Sequence, residues 1–175
     1  EAIDKYLDKI AIENKDYEKL IEDKNRISKG YALRFDFWKS LLERRRNIAD
    51  VYEDISPSTN NFIGKEASKS GLYFYFTITN NFCQVKLYID RGKDKKEENK
   101  KIFDSLYEHK KEIEDTFSEE LNWERRDAQI FSEIRKRYNF STLNDRATWG
   151  EIQEKMIYGM IKLEKAFRGY ISNLE

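Results

Sequence analysis

The sequence predicts an α+β domain, an antiparallel sheet built on a central β-hairpin with long helices packed on one face. Three observations carry that reading. Residues 72–90, LYFYFTITNNFCQVKLYID, alternate apolar and polar side chains on both sides of Asn80-Asn81, the pattern of two strands joined by a two-residue turn. Apolar residues at helical spacing fill long segments before and after the hairpin. The order helix, hairpin, helix, short strands, helix lacks the regular strand–helix alternation of a parallel sheet.

Residues 1–29 set Ile3, Leu7, Ile10, Tyr17 and Ile21 on a narrow helical stripe. Asn14 interrupts it, Asn14 or Asp16 is a candidate cap for a second helix, and Gly30 is expected to end the segment. This stretch reads as a helical linker or docking arm, and residues 30–175 as a single α+β domain. From residue 31 a stronger helix places Tyr31, Phe35, Trp38, Leu41, Leu42, Arg45, Ile48 and Tyr52 on one broad face. Residues 56–61, with Pro57, have loop composition. Residues 62–70 are ambiguous, with a short helix near 65–68 as one reading.

An Asn80-Asn81 turn fixes the hairpin register. Leu72, Phe74, Phe76 and Ile78 then share an apolar face with Cys83, Val85, Leu87 and Ile89, which helices must cover. The other face pairs Tyr73 with Tyr88, Tyr75 with Lys86, Thr77 with Gln84 and Thr79 with Phe82. Asp94 and Glu97 suggest a capping box for a helix carrying Ile102, Phe103, Leu106, Ile113 and Phe117. The chain is expected to re-enter the sheet at Trp123 and again as a strand within residues 129–138. Thr148 and Glu151 suggest a second capping box, ahead of a terminal helix marked by Ile152, Met156, Met160, Leu163, Phe167 and Leu174.

Phe37-Trp38, Val85-Lys86-Leu87-Tyr88-Ile89, Asn99-Lys100, Phe103-Asp104, Leu106, Ile113-Glu114, Leu121-Asn122-Trp123 and Trp149 form a pattern that resembles a bacterial domain-of-unknown-function family, number 4268. The resemblance covers residues 31–171. It implies a C-terminal accessory module whose upstream neighbours are nuclease-like or associated with restriction and phage defence. It supplies no catalytic residues. Phe117-Ser118 stands where that pattern has Phe-Gly.

Bulk properties narrow the function classes. Basic and acidic residues number 33 each, so attraction to nucleic acid must come from local patches rather than net charge. One cysteine excludes a disulfide framework and a cysteine-rich zinc site. No apolar run has the length of a membrane span, and a soluble cytoplasmic protein without a membrane partner is the expectation. A chain opening on Glu1 and closing on Leu174-Glu175 reads as a segment of a longer protein, whose upstream domain is its first expected partner.

No catalytic residue, metal site or cofactor is assigned. His109, the single histidine, reads as a solvated helix residue. Cys83 falls on the core face, where a thiol is a poor nucleophile. The binding reading selects Tyr73, Tyr75, Lys86 and Tyr88 with Arg125, Arg126, Arg135 and Arg137, aromatics that stack bases beside cations that neutralise phosphates. Two blander readings stay open: burial of the tyrosines under the N-terminal arm or another protein domain, and pairing of the arginines with Glu124, Asp127 and Glu133. Two alternatives from other classes are a metal-dependent nuclease using Asp90, Asp94, Lys96 and Glu124, and a homodimerisation module built on the terminal helices.

Overall fold

The hairpin forms in the register that the Asn80-Asn81 turn dictates. In the computed structural model, which describes residues 2–48 and 54–174 and side chains from residue 11 onward, β2 (Leu72–Ile78) pairs antiparallel with β3 (Phe82–Ile89). Leu72 lies opposite Ile89, Tyr75 opposite Lys86 and Ile78 opposite Cys83. Thr79 closes the turn, its N–H donating to the carbonyl of Phe82 at 2.8 Å. Phe82 N–H donates in turn to Thr79 Oγ1 at 3.1 Å.

Three further strands complete a five-stranded sheet, β1 (Phe62–Glu66), β4 (Asn122–Glu124) and β5 (Ser132–Asn139), in the order β1-β2-β3-β5-β4. Every pairing is antiparallel. The expected strands at Trp123 and within residues 129–138 are present. Residues 62–66 form a strand rather than the short helix near 65–68, because β2 offers them an unpaired edge on which each alternate side chain finds a cross-strand neighbour. At Gly64 a Cβ would collide with the Phe74 carbonyl and the Tyr75 ring, so the glycine lets that ring lie across β1.

The helices are α1 (Ala2–Arg46), α2 (Lys96–Tyr107), α3 (Lys110–Phe117) and α4 (Trp149–Ser172). α1 runs unbroken for 45 residues. The expected interruption at Asn14 and stop at Gly30 do not occur. A glycine costs a helix interior only ~1 kcal/mol, and the good helix formers around it carry the ladder through. Tyr52 and the side chains of Ile3, Leu7 and Ile10 lie outside the described residues.

The expected single helix after the hairpin is two, broken where His109 leads into α3. Neither capping box forms: α2 and α4 begin without a side-chain cap. α4 is instead preceded by a 3-10 turn (Arg146–Thr148), at whose start the Asp145 side chain accepts from Ala147 N–H. A loop acid one turn upstream thus takes the capping role.

α4 lies across β2, β3 and β5, with α1 and α3 against it and α2 over β3 and β5. Between them Phe37, Trp38 and Leu41 of α1, Phe76 and Leu87 of the hairpin, and Met156, Met160, Leu163 and Phe167 of α4 are buried. Each large side chain removed from water contributes about 1.5–3 kcal/mol. Trp38 Nε1 donates to the Asn60 carbonyl at 2.9 Å, and Gln153 Nε2 to Phe37 O at 3.1 Å. Polar groups drawn inside are thereby paired. All helices of the core pack on one face of the sheet, and among the described residues none covers the other.

The paired residues of the family-like pattern have structural duties. Asn99, fully buried, accepts from Arg91 N–H at 3.0 Å and donates to Ile130 O at 3.1 Å. Lys100 Nζ donates to the carbonyls of Arg125 (2.7 Å), Arg126 (2.9 Å) and Phe131 (2.6 Å) and to Ser132 Oγ (3.0 Å). This ammonium gathers the β4–β5 loop onto α2, and burial pushes its pKa down. No helix is long and apolar enough to cross a membrane among the described residues.

Candidate functional site: the open sheet face

Strand alternation carries the side chains of three registered rows onto the uncovered face. One row runs Phe62, Thr77, Gln84, Arg137; the next Gly64, Tyr75, Lys86, Arg135, Asn122; the third Glu66, Tyr73, Tyr88, Glu133, Glu124. Tyr73, Tyr75, Lys86, Tyr88, Arg135 and Arg137 are therefore brought together. Arg126 reaches the same face from the loop after β4. Its φ of 53° lies in the left-handed region, which costs a non-glycine residue roughly 1–2 kcal/mol. Arg125 is not brought there. It turns toward α2, where Nε and Nη2 grip Asp104 at 2.7 and 2.9 Å.

The aromatic rings form a continuous strip. Tyr73 and Tyr75 stack with centroids 5.5 Å apart and planes 1° from parallel. Tyr75 touches Phe62 edge-on at 5.1 Å and Tyr88 at 5.8 Å, and Tyr88 meets Phe131 at 4.9 Å. All three tyrosine rings are half-buried, with Phe62 exposed at the sheet edge. Burial and the neighbouring carboxylates of Asp90 and Glu133 push the Tyr88 hydroxyl up to about 12, and burial raises that of Tyr75. Both are neutral donors at physiological pH.

Flanking the strip is an ion cluster whose hub is Glu133. Its carboxylate accepts from Lys86 Nζ at 2.9 Å, Arg126 Nη2 at 2.7 Å and Arg135 Nη1 at 3.0 Å. Glu124 shares Arg126 Nη2 with Glu133 and takes the other end, Nη2, of Arg135. Burial works to raise the Glu133 pKa, but the hydrogen bonds and charges of Lys86 and Arg126 outweigh it and hold the carboxyl below its ordinary range. Over the whole face four cations (Lys86, Arg126, Arg135, Arg137) meet three anions (Glu66, Glu124, Glu133), leaving one positive charge in excess. Arg137 stands 3.9 Å above the Phe82 ring, a cation–π contact that keeps its guanidinium on the face.

Between strip and cluster lies a concavity of about 320 Å³ lined by Phe62, Tyr75, Thr77, Phe82, Gln84, Lys86 and Tyr88. Its floor holds Gln84, only 7% exposed. Gln84 Nε2 donates to Thr77 Oγ1 at 3.1 Å, while Oε1 has no hydrogen-bond partner in the chain. Turning the amide over would leave Nε2 unpartnered instead, so one polar end is orphaned in either orientation. A buried amide left this way costs about 1–3 kcal/mol. A larger cleft of about 860 Å³ between α1 and the hairpin tip, lined by Arg26, Lys29, Arg34 and Arg146 among others, has no aromatic wall.

The carboxylates of the nuclease alternative lie apart. Asp90, past the end of β3, accepts Gly92 N–H at 2.9 Å, Asp94 and Lys96 follow in the turn and first helical residue, and Glu124 lies two strands away beyond β5. Among the described residues no cluster of three or more His, Cys, Asp and Glu side chains is placed to hold a metal ion. Cys83 is buried in the core, and burial pushes its thiol up to about 12.

Phe62, Phe131 and the orphaned Gln84 were not among the residues selected from sequence. Gln84 was legible as a face residue, but its missing partner shows only in three dimensions. No curated protein and no solved structure matches the chain. Residues 33–171 match the protein family described as Domain of unknown function (DUF4268). That span takes in every strand, α2, α3, nearly all of α4 and the buried part of α1, and the chain belongs to this family.

Proposed function

We propose that the chain is a non-catalytic accessory module of a larger bacterial protein, and that its open sheet face binds single-stranded nucleic acid. The observation that carries the reading is the orphaned Gln84 amide at the bottom of an aromatic-walled recess. A flat heterocycle lying against the open sides of Phe62, Tyr75 and Tyr88 supplies both things missing there, ring area for the aromatics and a hydrogen-bonding edge for the amide. Nucleobases offer donors and acceptors on one edge and a π-face on each side. A sugar–phosphate backbone crossing the sheet then runs beside Lys86, Arg135, Arg137 and Arg126. Duplex bases are already stacked and paired, so the recess favours unpaired strands. An upstream nuclease-like or defence domain is a fitting neighbour for a module of this kind.

The test is fluorescence anisotropy with a short labelled single-stranded oligonucleotide, titrated at low salt and again at rising salt. Binding should weaken with salt and exceed that of the matching duplex. Tyr75→Ala should lose about tenfold or more, since stacking on one aromatic is worth ~1–3 kcal/mol per base. Gln84→Met should lose affinity without losing thermal stability, because removal of the unsatisfied group at nearly constant volume offsets the lost hydrogen bond to Thr77. No binding at low salt, or binding indifferent to Tyr75→Ala, would overturn the proposal.

A further inference from the structure

The N-terminal part of α1 carries apolar side chains that the domain leaves in water. Tyr17, Leu20, Ile27 and Tyr31 are 65, 66, 52 and 48% exposed. Their spacing alternates in steps of three and four once Lys24 is counted between Leu20 and Ile27. This is the a/d seam of a coiled coil, with Tyr17, Lys24 and Tyr31 at a and Leu20 and Ile27 at d. In sequence the same frame continues back through Glu13 at d to Ile10, Tyr6 and Ile3. The seam closes where the domain begins. Arg34 Nε donates to Thr59 O at 2.7 Å, and Trp38, the next a position, is buried. The stretch of seam with described side chains, residues 13–34, is about 32 Å long at 1.5 Å per residue.

Besides Arg34 at its closing end, two charged residues in the seam, Glu13 and Lys24, identify the occupant and its direction. A parallel partner of the same sequence would set Lys24 against Lys24 and Glu13 against Glu13. An antiparallel partner pairs a with d, and one register puts Lys24 opposite Glu13 of the second copy. That register also sets Tyr17 opposite Leu20 and, in sequence, Ile10 level with Ile27 and Tyr6 level with Tyr31. A shift of one heptad either way buries Lys24 against Leu20 or Tyr6 and strands the charge. We infer that the arm of α1 forms an antiparallel coiled coil with a second copy of this chain, in the register fixed by reciprocal Glu13–Lys24 pairs.

One flank carries a cost. Asp16 and Asp23 face one another across the seam, but each is followed three residues on by a cation, Lys19 and Arg26, and Arg26 already holds Asp23 at 2.9 Å. The overlap ends at Arg34, so the two globular bodies lie at opposite ends of the coil.

The test is sedimentation equilibrium of the full chain without nucleic acid, with circular dichroism to verify that helix content is kept. The parent should be a dimer. Lys24→Glu and Glu13→Lys, each placing like charges opposite one another, should raise the dissociation constant about tenfold or more. The exchanged double variant E13K/K24E should return it close to the parent value. The double exchange separates this register from a parallel pairing, in which neither single reversal changes the sign relations. A monomer at all concentrations, a dimer indifferent to K24E, or a double variant no better than the singles would each overturn the inference.

Discussion

Replacing Glu133 with Gln probes the ion cluster and the binding face together. The Glu133 side chain is 4% exposed and is held by Lys86, Arg126 and Arg135 at 2.9, 2.7 and 3.0 Å. Gln keeps the shape but removes the charge. Arg126 and Arg135 retain Glu124, whereas Lys86, 16% exposed, loses its carboxylate. Breaking a buried pair costs about 3–5 kcal/mol, and the surviving Glu124 contacts argue for the lower end, about 3. For a chain of this size that is roughly 6–12 °C in Tm.

The pH dependence follows from the depressed Glu133 pKa. A carboxyl whose folded-state pKa is lowered contributes stability that is fully present above the unfolded value and lost as pH falls through the folded one. The parent should therefore lose stability on acidification below the ordinary glutamate range, and E133Q should lack that part of the acid limb. The variant face also carries one more positive charge, so the slope of log affinity for oligonucleotide against log salt should steepen by up to about one. Urea denaturation from neutral to acid pH and anisotropy titrations at several salt concentrations measure both arms. An E133Q variant as stable as the parent at neutral pH, with an unchanged acid limb, would refute the reasoning.

Two further substitutions test how the framework presents the face. Lys100→Met strips the donor from the carbonyls of Arg125, Arg126 and Phe131, all served by one ammonium, and should cost about 3–5 kcal/mol in thermal unfolding; a neutral effect would mean that the loop does not depend on it. Ser118, the C-cap of α3, sits at φ 72°, so Ser118→Gly should stabilise by about 1 kcal/mol, and a loss of stability would show that the serine is held there by something other than backbone tolerance.

What could be read in advance depended on how local the cause was. The β2–β3 register was legible because two asparagines and strict alternation fix it within a single stretch, and the tyrosines of Tyr73, Tyr75 and Tyr88 followed onto one face. The placement of Arg135 and Arg137 beside them needed only that β5 join β3 in matching parity. β1 was hidden, since Gly64 breaks its pattern and its strand character is conferred by pairing with the edge of β2. Phe62 was lost with it. The continuity of α1 through Gly30 was hidden for the opposite reason: a weak local breaker is overridden by its flanks. The departure of Ser118 from the Phe-Gly pattern was visible in sequence, and its meaning, a left-handed cap, only in the backbone. Arg125 and Arg126 are sequence neighbours sent to opposite sides by one left-handed residue. Lys100 gave no sign of its role because its partners lie 25 or more residues away in sequence, whereas the pairing of Glu133 with arginines was legible because Arg126 and Arg135 lie close by in the chain.

The most direct measurement of the central claim is photocrosslinking of a single-stranded oligonucleotide carrying a photoreactive pyrimidine, followed by mass spectrometric mapping of the linked peptide. Base stacking on the uncovered side of the sheet predicts adducts on the β2–β3 peptides at Tyr75 or Tyr88, diminished in Gln84→Met. Adducts confined to other surfaces, or none under conditions that bind the oligonucleotide, would contradict it.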